Sequence, residues 1–366
     1  ILDKRAGTLS IQLCRALARQ WRQVDIWAER DSPAFRSRYC ANALETPPWN
    51  RDHAGPALAQ IVEEKPYEAI YICSEEILEI VHRIPRSRAW ERLPLSEFAT
   101  IETLLSKNAT LAKMTQAGVG TPRTIIPSDE HEVEHLGNDL GIPLMIKGER
   151  GDSGRNVVMV NRREDLVPTY RQIARREQEY GGRPALQELI RGDAYSVGGL
   201  YLEGRALRIC AHRKLLTYPP SGGWTVKGVT ERPKGLLEEC MKAFAALRYT
   251  GLGHAEFIRD RRDGRYKFIE VNPRIWGSIG IVEHAGVDLY QPYHALARGL
   301  AVEPDLRFKE GVLYHRFSGE VRLIRRRPLR VAGFFKDALD PRVRSDFEWS
   351  DAKPHLFSLA FSPHSN

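Results

Sequence analysis

Four side chains between positions 256 and 274 could do chemistry together: Glu256, Glu270, Asn272 and Arg274. Each acid sits in a short apolar run, Ala255-Glu256-Phe257-Ile258 and Tyr266-Lys267-Phe268-Ile269-Glu270-Val271-Asn272. The charged segment Arg259 to Arg265 between them contains Asp263-Gly264, a strong turn dipeptide between alternating runs. A β-hairpin or two adjacent antiparallel strands is therefore expected. Antiparallel neighbours can set Glu256 beside Glu270 on one face. Carboxylates so placed repel unless a cation or proton sits between them. Glu270 and Asn272 are two residues apart and point the same way from a strand. Three oxygen-bearing side chains of this kind suit Mg²⁺, which takes one or two carboxylates plus phosphate oxygens, with Mn²⁺ as a substitute. Arg274, in the loop that follows, could hold a phosphate or carboxylate. The plain alternative is a hairpin whose exposed acids pair with Arg259, Arg261 and Arg262. For Glu256 alone that alternative is preferred. Glu-x-Asn-x-Arg leaving an apolar strand, after an earlier acid on a neighbouring strand, favours a site.

The elements around these residues must belong to a chain of 366 residues, which implies two or three compact units. Hydrophobic content of 42% and charged content of 28% are those of a soluble globular protein. The net charge of +8 allows anionic ligands but is spread along the chain. Its densest cluster, Arg325-Arg326-Arg327, lacks the aromatic or groove-reading elements of a nucleic-acid binder, so no nucleic acid is expected. Cys14, Cys40, Cys73, Cys210 and Cys240 are scattered, odd in number and without CxxC spacing. They indicate neither zinc nor a disulfide scaffold and fit a reducing cytoplasm. No apolar stretch is long enough to span a bilayer, and no membrane partner is expected. The chain begins at Ile1 without a Met or signal peptide, so a short N-terminal piece is expected to be missing.

In chain order, Ile1 to Asp3 reads as the end of a strand, Leu9 to Trp21 as a helix, Val24 to Ala28 as a strand, and Pro66 to Cys73 as containing another. Strands alternating with helices imply an open parallel α/β unit over residues 1–93. The glycine fingerprint of a dinucleotide site is absent from it. Its loop stretches Ser37 to Cys40 and Ser74 to Glu76 are candidate acceptor-substrate positions. Ile101 to Gln116 reads as one helix carrying Lys107. Ile142 to Lys147 is a strand, followed by the glycine-rich GERGDSGRNVVMV and a returning strand Val157 to Val160. Such a loop can bring backbone N–H groups to phosphates, with Lys147 as a compact charge beside it. Pro184 to Ile190 is a strand ending at the turn Arg191-Gly192-Asp193. Tyr195 to Tyr201 and Ala206 to His212 form a hairpin. Thr217 to Trp224 is expected to be an irregular Pro/Gly loop. Beyond Leu300, Tyr314 to Phe317 and Val321 to Ile324 look like short strands in a packed tail, with a dimer contact or a covered sheet edge as its expected use.

GHAEFI followed by FIEVNPRIWGS resembles the metal-binding end of the ATP-grasp superfamily, whose enzymes couple ATP hydrolysis to joining a carboxylate to an amine, thiol or similar nucleophile. The resemblance extends over roughly Lys107 to Leu300, with its parts in the family's order. It implies an ATP-grasp unit over 94–300, with a central subdomain in 107–190 and a C-terminal subdomain in 191–300, clasping ATP between two α+β halves. Residues 301–366 are a C-terminal extension packed on that core. Lys107 and Lys147 become the two ATP lysines, and Gly151, Ser153 and Gly154 the phosphate-covering loop. Gln187, Glu188, Leu189 and Ile190 form the adenine hinge. The family's ribose-binding acid falls at Ala194 here, which leaves Asp193 or Glu188 as its substitute, or a looser grip on the ribose. Arg213 or Lys214 sits near the γ-phosphate and acyl phosphate under a lid formed by the 217–224 loop. Glu256, Glu270 and Asn272 hold Mg²⁺, and Arg274 orients the carboxylate. The activity implied is an ADP-forming carboxylate–amine ligase. The alternatives are an ATP-dependent carboxylase or carbamoyl-phosphate-type enzyme acting on bicarbonate, and a non-catalytic ATP-binding regulator.

Overall fold

The computed structural model describes residues 1–4, 8–20, 23–46, 49, 54–65, 67–84, 93–150, 156–178, 181–220 and 222–361. The N-terminal part is a narrow parallel arrangement. Strands β1 (Asp25–Glu29) and β2 (Asn42–Thr46) pair in parallel. Leu2 bridges Trp27 on one side and Ile72 on the other, both in parallel. The strands expected at 1–3 and within 66–73 thus shrink to single bridges, held by Leu2 N–H to Tyr71 O at 2.8 Å and Cys73 N–H to Leu2 O at 3.0 Å. The helix Leu9–Gln20 buries Ile11, Leu13, Cys14 and Leu17 beneath this layer. Helix Glu75–Arg83 begins at Ser74, whose hydroxyl accepts from the Ile77 N–H at 3.2 Å, with Glu75 and Glu76 in the first turn. Both features stabilise a helix start.

The helix expected over 101–116 is two helices, Phe98–Leu105 and Lys107–Gln116. Ser106 breaks them: its backbone is extended (φ −101°, ψ 113°), and its hydroxyl caps the Ala109 N–H. Ser106 is therefore an N-cap, and Lys107 becomes the first residue of the second helix. A four-stranded antiparallel sheet follows, from β3 (Thr124–Ile125), β4 (Leu144–Lys147), β5 (Val157–Val160) and β6 (Ala185–Glu188), in the order β3-β6-β4-β5. Helices Val133–Leu140 and Leu166–Glu177 cover it through Val133, Leu166, Tyr170 and Ile173, packed on Leu144, Ile146 and Leu186.

The largest layer is a seven-stranded sheet. Strands β7 (Gly192–Leu202) and β8 (Arg205–Tyr218) turn at Glu203-Gly204, with φ of 50° and 85°. Two consecutive positive φ values make the tight turn that suits a twisted hairpin. Any side chain at Gly204 would also meet Ala245 Cα at 2.6 Å. Strands β9 (Trp224–Thr230), β10 (Gly251–Asp260) and β11 (Tyr266–Asn272) continue the sheet. The irregular loop expected over 217–224 narrows to the connection between Tyr218 and Trp224, which pair with each other as the ends of β8 and β9.

The tail is woven into this layer. Strand β12 (Leu313–His315) pairs antiparallel with β9, and β13 (Val343–Ser345) pairs parallel with β12. The sheet order is β11-β10-β7-β8-β9-β12-β13. The strand expected at 321–324 lies instead within the helix Phe317–Arg326, which buries Ser318, Gly319, Glu320 and Leu323 and turns Arg325 and Arg326 outward. Val321, Leu323 and Ile324 alternate poorly as a strand but share one side of a helix with Phe317.

Candidate functional site

The predicted acids meet. Glu256 and Glu270 are direct cross-strand partners in β10 and β11, and His254 faces Asn272. The row continues across the sheet, because Ser196 pairs with Glu256 on one side and with His212 on the other. By strand parity the same face carries Lys214, two residues beyond His212. Lys214 Nζ lies 2.5 Å from Glu256 Oε1 and also donates to Gly223 O at 3.0 Å. Its side chain is 3% exposed and that of Glu256 19%. Asn272 Nδ2 donates to Glu270 Oε1 at 3.2 Å, and Arg274 donates to Asn272 Oδ1 at 3.2 Å. Arg274 Nε lies 3.4 Å from Glu75 Oε1, so this loop touches the N-terminal part.

Electrostatics set the protonation states. Burial pushes the Glu256 carboxyl up, but Lys214 and His254 outweigh it and hold the acid below its ordinary range. Burial lowers His254, and His212 is pushed down to about 3 by burial with Lys214 adding to it. Both imidazoles are therefore neutral near pH 7. Ser196 Oγ, His212 Nδ1 and His254 Nδ1 are buried without a hydrogen-bond partner among the described residues. The floor beneath the acids is thus polar and underused. The Trp276 ring stacks on His254 with centroids 5.4 Å apart and fills the space over Gly198, where a Cβ would lie 2.1 Å from the indole.

Lys147, at the end of β4 in the smaller sheet, and Lys107, at the start of helix Lys107–Gln116, stand near this row. Burial pushes Lys147 down to about 8, Glu270 pulls it back up, and Lys107 pushes it further down. The cleft between them, about 460 Å³ and open to solvent, is lined by Glu75, Leu104, Lys107, Thr110, Glu270 and Asn272. The Lys107 N–H bonds to Glu149 O at 3.1 Å, tying the helix start to the loop after β4. The fully buried Glu177 anchors the base of that loop by accepting from the Glu149 and Arg150 N–H groups at 3.0 Å and from Asn156 Nδ2 at 2.8 Å. Gly151, Ser153 and Gly154 themselves lie outside the described residues.

The remaining sequence candidates divide. Gln187 is buried in β6 and donates to Thr124 Oγ1 at 2.8 Å, with Leu189 and Ile190 on the short connection to β7. The carboxylate of Glu188 accepts from the Arg123 N–H at 2.8 Å and pairs with Arg262 at 2.9 Å, so it is already engaged. Arg213 and Asp193 are not brought to the acids. Arg213 is one residue from Lys214, so strand parity turns it to the other face, where it pairs with Glu231 at 2.9 Å. Asp193 opposes Arg259 in the β7–β10 pairing, three residues from the Ser196–Glu256 pair and so on that other face as well. It is exposed there.

Several residues were not singled out from the sequence. His254 and Ser196 could have been found by the period-2 rule from Glu256 and its neighbouring strand. Arg316 carried no such signal. It is 8% exposed, lies over the Trp224 ring at 4.4 Å and donates to Thr8 Oγ1 at 3.0 Å. A Cβ on Gly277, three residues beyond Arg274, would lie 2.5 Å from its NH1. Its Nε has no partner among the described residues. Burial lowers the guanidinium, and the Asp346 carboxylate, which makes no direct ion pair with it, offsets only part of that. A buried charge so weakly compensated is costly.

Residues 212–304 match the family described as "Carbamoyl-phosphate synthase L chain, ATP binding domain". The chain is similar to Biotin carboxylase 1 of Bacillus subtilis (strain 168), 24% identical over 253 residues, covering 60% of this chain and 52% of that one. Among solved structures it resembles the biotin carboxylase domain of Hydrogenobacter thermophilus 2-oxoglutarate carboxylase, in complex with MgADP and bicarbonate (20% identity, TM-score 0.64, 84% of this chain and 72% of that one). It also resembles an L-amino acid ligase from Bacillus licheniformis (20% identity, TM-score 0.60, 81% and 74%). The chain has the ATP-grasp fold. It spans about half or less of the length of the first curated relatives it matches. That fold implies a divalent cation, and the residues present fit one. Two facing carboxylates and an amide oxygen are hard donors, and the Lys214 ammonium against Glu256 shows that the pair already calls for positive charge. Among the described residues no helix is long and apolar enough to cross a membrane.

Proposed function

We propose that the protein is an ADP-forming ligase that activates a small-molecule carboxylate as an acyl phosphate and joins it to an amine. The observation that carries this reading is the single row Lys214, Glu256, Glu270, Asn272 and Arg274, faced by Lys147 and Lys107 across one cleft. Phosphoryl transfer asks a protein for position and for positive charge where the phosphates gather it. Glu256, Glu270 and Asn272 would hold Mg²⁺, which, when bound, neutralises charge on the phosphates. Lys147 supplies charge from the smaller sheet and Lys107 from the start of its helix. Lys214 links the acids to the β8–β9 turn through Gly223, so that turn and the reacting phosphate are positioned together. Arg274 and Arg316 flank the Trp276–Ser278 loop, and a carboxylate between them would add a direct ion pair to the charge that Asp346 already sets against Arg316. The amine then displaces phosphate, and the covering hairpin keeps water from the acyl phosphate. The amine and the acid approach from the side of Glu75 and the N-terminal part. Residues 1–93 and 301–366 serve as flanking parts of the ligase, the protein acts in the cytoplasm, and a homodimer is its working form.

A second reading takes bicarbonate as the acid. It is favoured by the biotin carboxylases among the relatives and by the bicarbonate in one of the similar structures. The test is release of ADP and phosphate from MgATP, with pooled carboxylates and amines in one arm and bicarbonate in the other, and hydroxylamine added to trap an acyl phosphate as hydroxamate. Turnover needing one carboxylate and one amine, lost in Glu270→Gln, supports the ligase. Turnover with bicarbonate alone supports the second reading, and ATP binding without turnover in either arm supports a regulator.

A further inference from the structure

We propose that the C-terminal extension holds a structural transition-metal site, taking Zn²⁺, formed by His315, Glu320 and Asp337. The inference is independent of the proposed ligase chemistry. Each residue offers one ligating atom, and the three atoms lie within 4.8 Å of one another. The three residues come from three elements: the end of β12, the first turn of helix Phe317–Arg326, and helix Val331–Leu339. His315 is 4% exposed and Glu320 2%. His315 Nδ1 and Glu320 Oε1 have no hydrogen-bond partner among the described residues. Two lone-pair-bearing atoms buried in one cluster repel unless a cation or proton lies between them.

The surroundings have the character of outer partners. Asp337 Oδ2 is held by Lys227 at 2.5 Å, and Glu320 Oε2 lies 4.0 Å from Arg330. Each carboxylate thus has one oxygen near a cation and one left over. That resembles the way ligating groups are oriented by second contacts. The Phe334 ring stacks on His315 at 6.0 Å and closes one side. Lys227 stands at the rim, its side chain 18% exposed, and can swing outward as a dication enters. An imidazole with two carboxylates is a mixed N/O set. It suits Zn²⁺ with one position left for water, and it sets this cluster apart from the all-oxygen Glu256, Glu270 and Asn272 group. His315 is the cross-strand partner of Lys227 on β9 and precedes Arg316. An ion here would clamp the three pieces of the extension and fix the strand end from which Arg316 reaches the site.

The test uses the full chain stripped with chelator and returned to saturating Mg²⁺, then titrated with Zn²⁺ against a chromogenic competitor. One equivalent of Zn²⁺ should bind, raise the thermal midpoint and survive Glu270→Gln. His315→Gln and Asp337→Asn should each weaken it at least about 100-fold. Should either variant fold poorly, Co²⁺ added to the parent gives a separate readout: the intense visible bands of a four-coordinate ion with a nitrogen ligand. Absence of tight Zn²⁺ binding, Zn²⁺ retained in both variants, or only the weak bands of six-coordinate Co²⁺ would overturn the assignment and leave a proton shared between Glu320 and His315.

Discussion

Replacing Lys214 with methionine separates a metal site from an ordinary buried ion pair. Lys214 is 3% exposed and its partner Glu256 19%, so the pair is largely desolvated, and Glu270 stands opposite Glu256 in the sheet. Removing one partner of a buried pair costs about 3–5 kcal/mol, because the other charge is left uncompensated. The partial exposure of Glu256 places the expected loss near the lower end, about 3 kcal/mol at pH 7. Adding Glu256→Gln should recover much of this, giving a coupling energy of about 2–3 kcal/mol in a double-mutant cycle. Mg²⁺ supplies the sharper diagnostic. With the ammonium gone, two facing carboxylates attract the cation more strongly. Mg²⁺ at about 100 times its Kd should return about 2.7 kcal/mol to Lys214→Met, and it should stabilise the parent less. The pH dependence has a definite sign. In the parent, Glu256 titrates below its unfolded value. Its contribution is fully present above the unfolded pKa and is lost as pH falls through the folded one. In Lys214→Met, burial and Glu270 raise the acid instead, so the deficit should shrink as pH falls from 7 towards 4. The assay is urea unfolding at several pH values with and without Mg²⁺. A variant as stable as the parent, or one that Mg²⁺ stabilises no more than the parent, would refute the reasoning.

Other outcomes follow from the same geometry. Glu270→Gln should keep the fold by circular dichroism and lower kcat at least about 100-fold, consistent with losing charge placed for the transition state. Because Lys147 is pushed down to about 8, its ammonium fades above that pH; ATP affinity measured by calorimetry should be flat below pH 7 and fall as pH rises through 8, and Lys147→Arg should flatten the profile. Arg316→Met should fold about as well as the parent, since no direct ion pair is broken and a costly buried charge is removed, while kcat/KM for the carboxylate falls roughly 10- to 100-fold, the worth of a charged hydrogen bond. Gly198→Val should lose about 1–3 kcal/mol or more in chemical denaturation, because its side chain must displace the Trp276 indole.

What could be read in advance was what depends on short range. Asp263-Gly264 between alternating runs announced the β10–β11 pair, and period 2 then put Glu270 and Asn272 on one face. The same rule, applied once more, separates Lys214 from Arg213, but only after β8 has been phased against β10. That phase is a tertiary fact: it comes from Ser196 standing between Glu256 and His212. Lys107 was legible as a helix-start lysine only in kind, because the break at Ser106 depends on one hydroxyl capping Ala109. Val321 to Ile324 shows the limit of short apolar runs, which fit a strand or one side of a helix equally until their neighbours are known. Asp193 was a position judged by proximity in sequence to a displaced acid, and parity places it on the far face.

The tail was illegible for a different reason, and it changes how the site should be understood. Nothing local tells that β12 will join β9, where His315 opposes Lys227, 88 residues earlier in the chain. Once it does, Arg316 at the strand's end lies over Trp224 and against Gly277, with Thr8 of the N-terminal part on its other side. Three stretches far apart in sequence therefore meet at one guanidinium. On the proposed function, the acids and the lysines serve the phosphates, as in any carboxylate-activating enzyme, and the arginine from the extension, held at Thr8, is the part that would distinguish one acid from another. Exchanging the extension for that of a relative with a different acid should therefore move substrate preference while leaving ATP affinity unchanged. If it moves ATP affinity and leaves preference alone, Arg316 is a packing residue and the acid is chosen elsewhere.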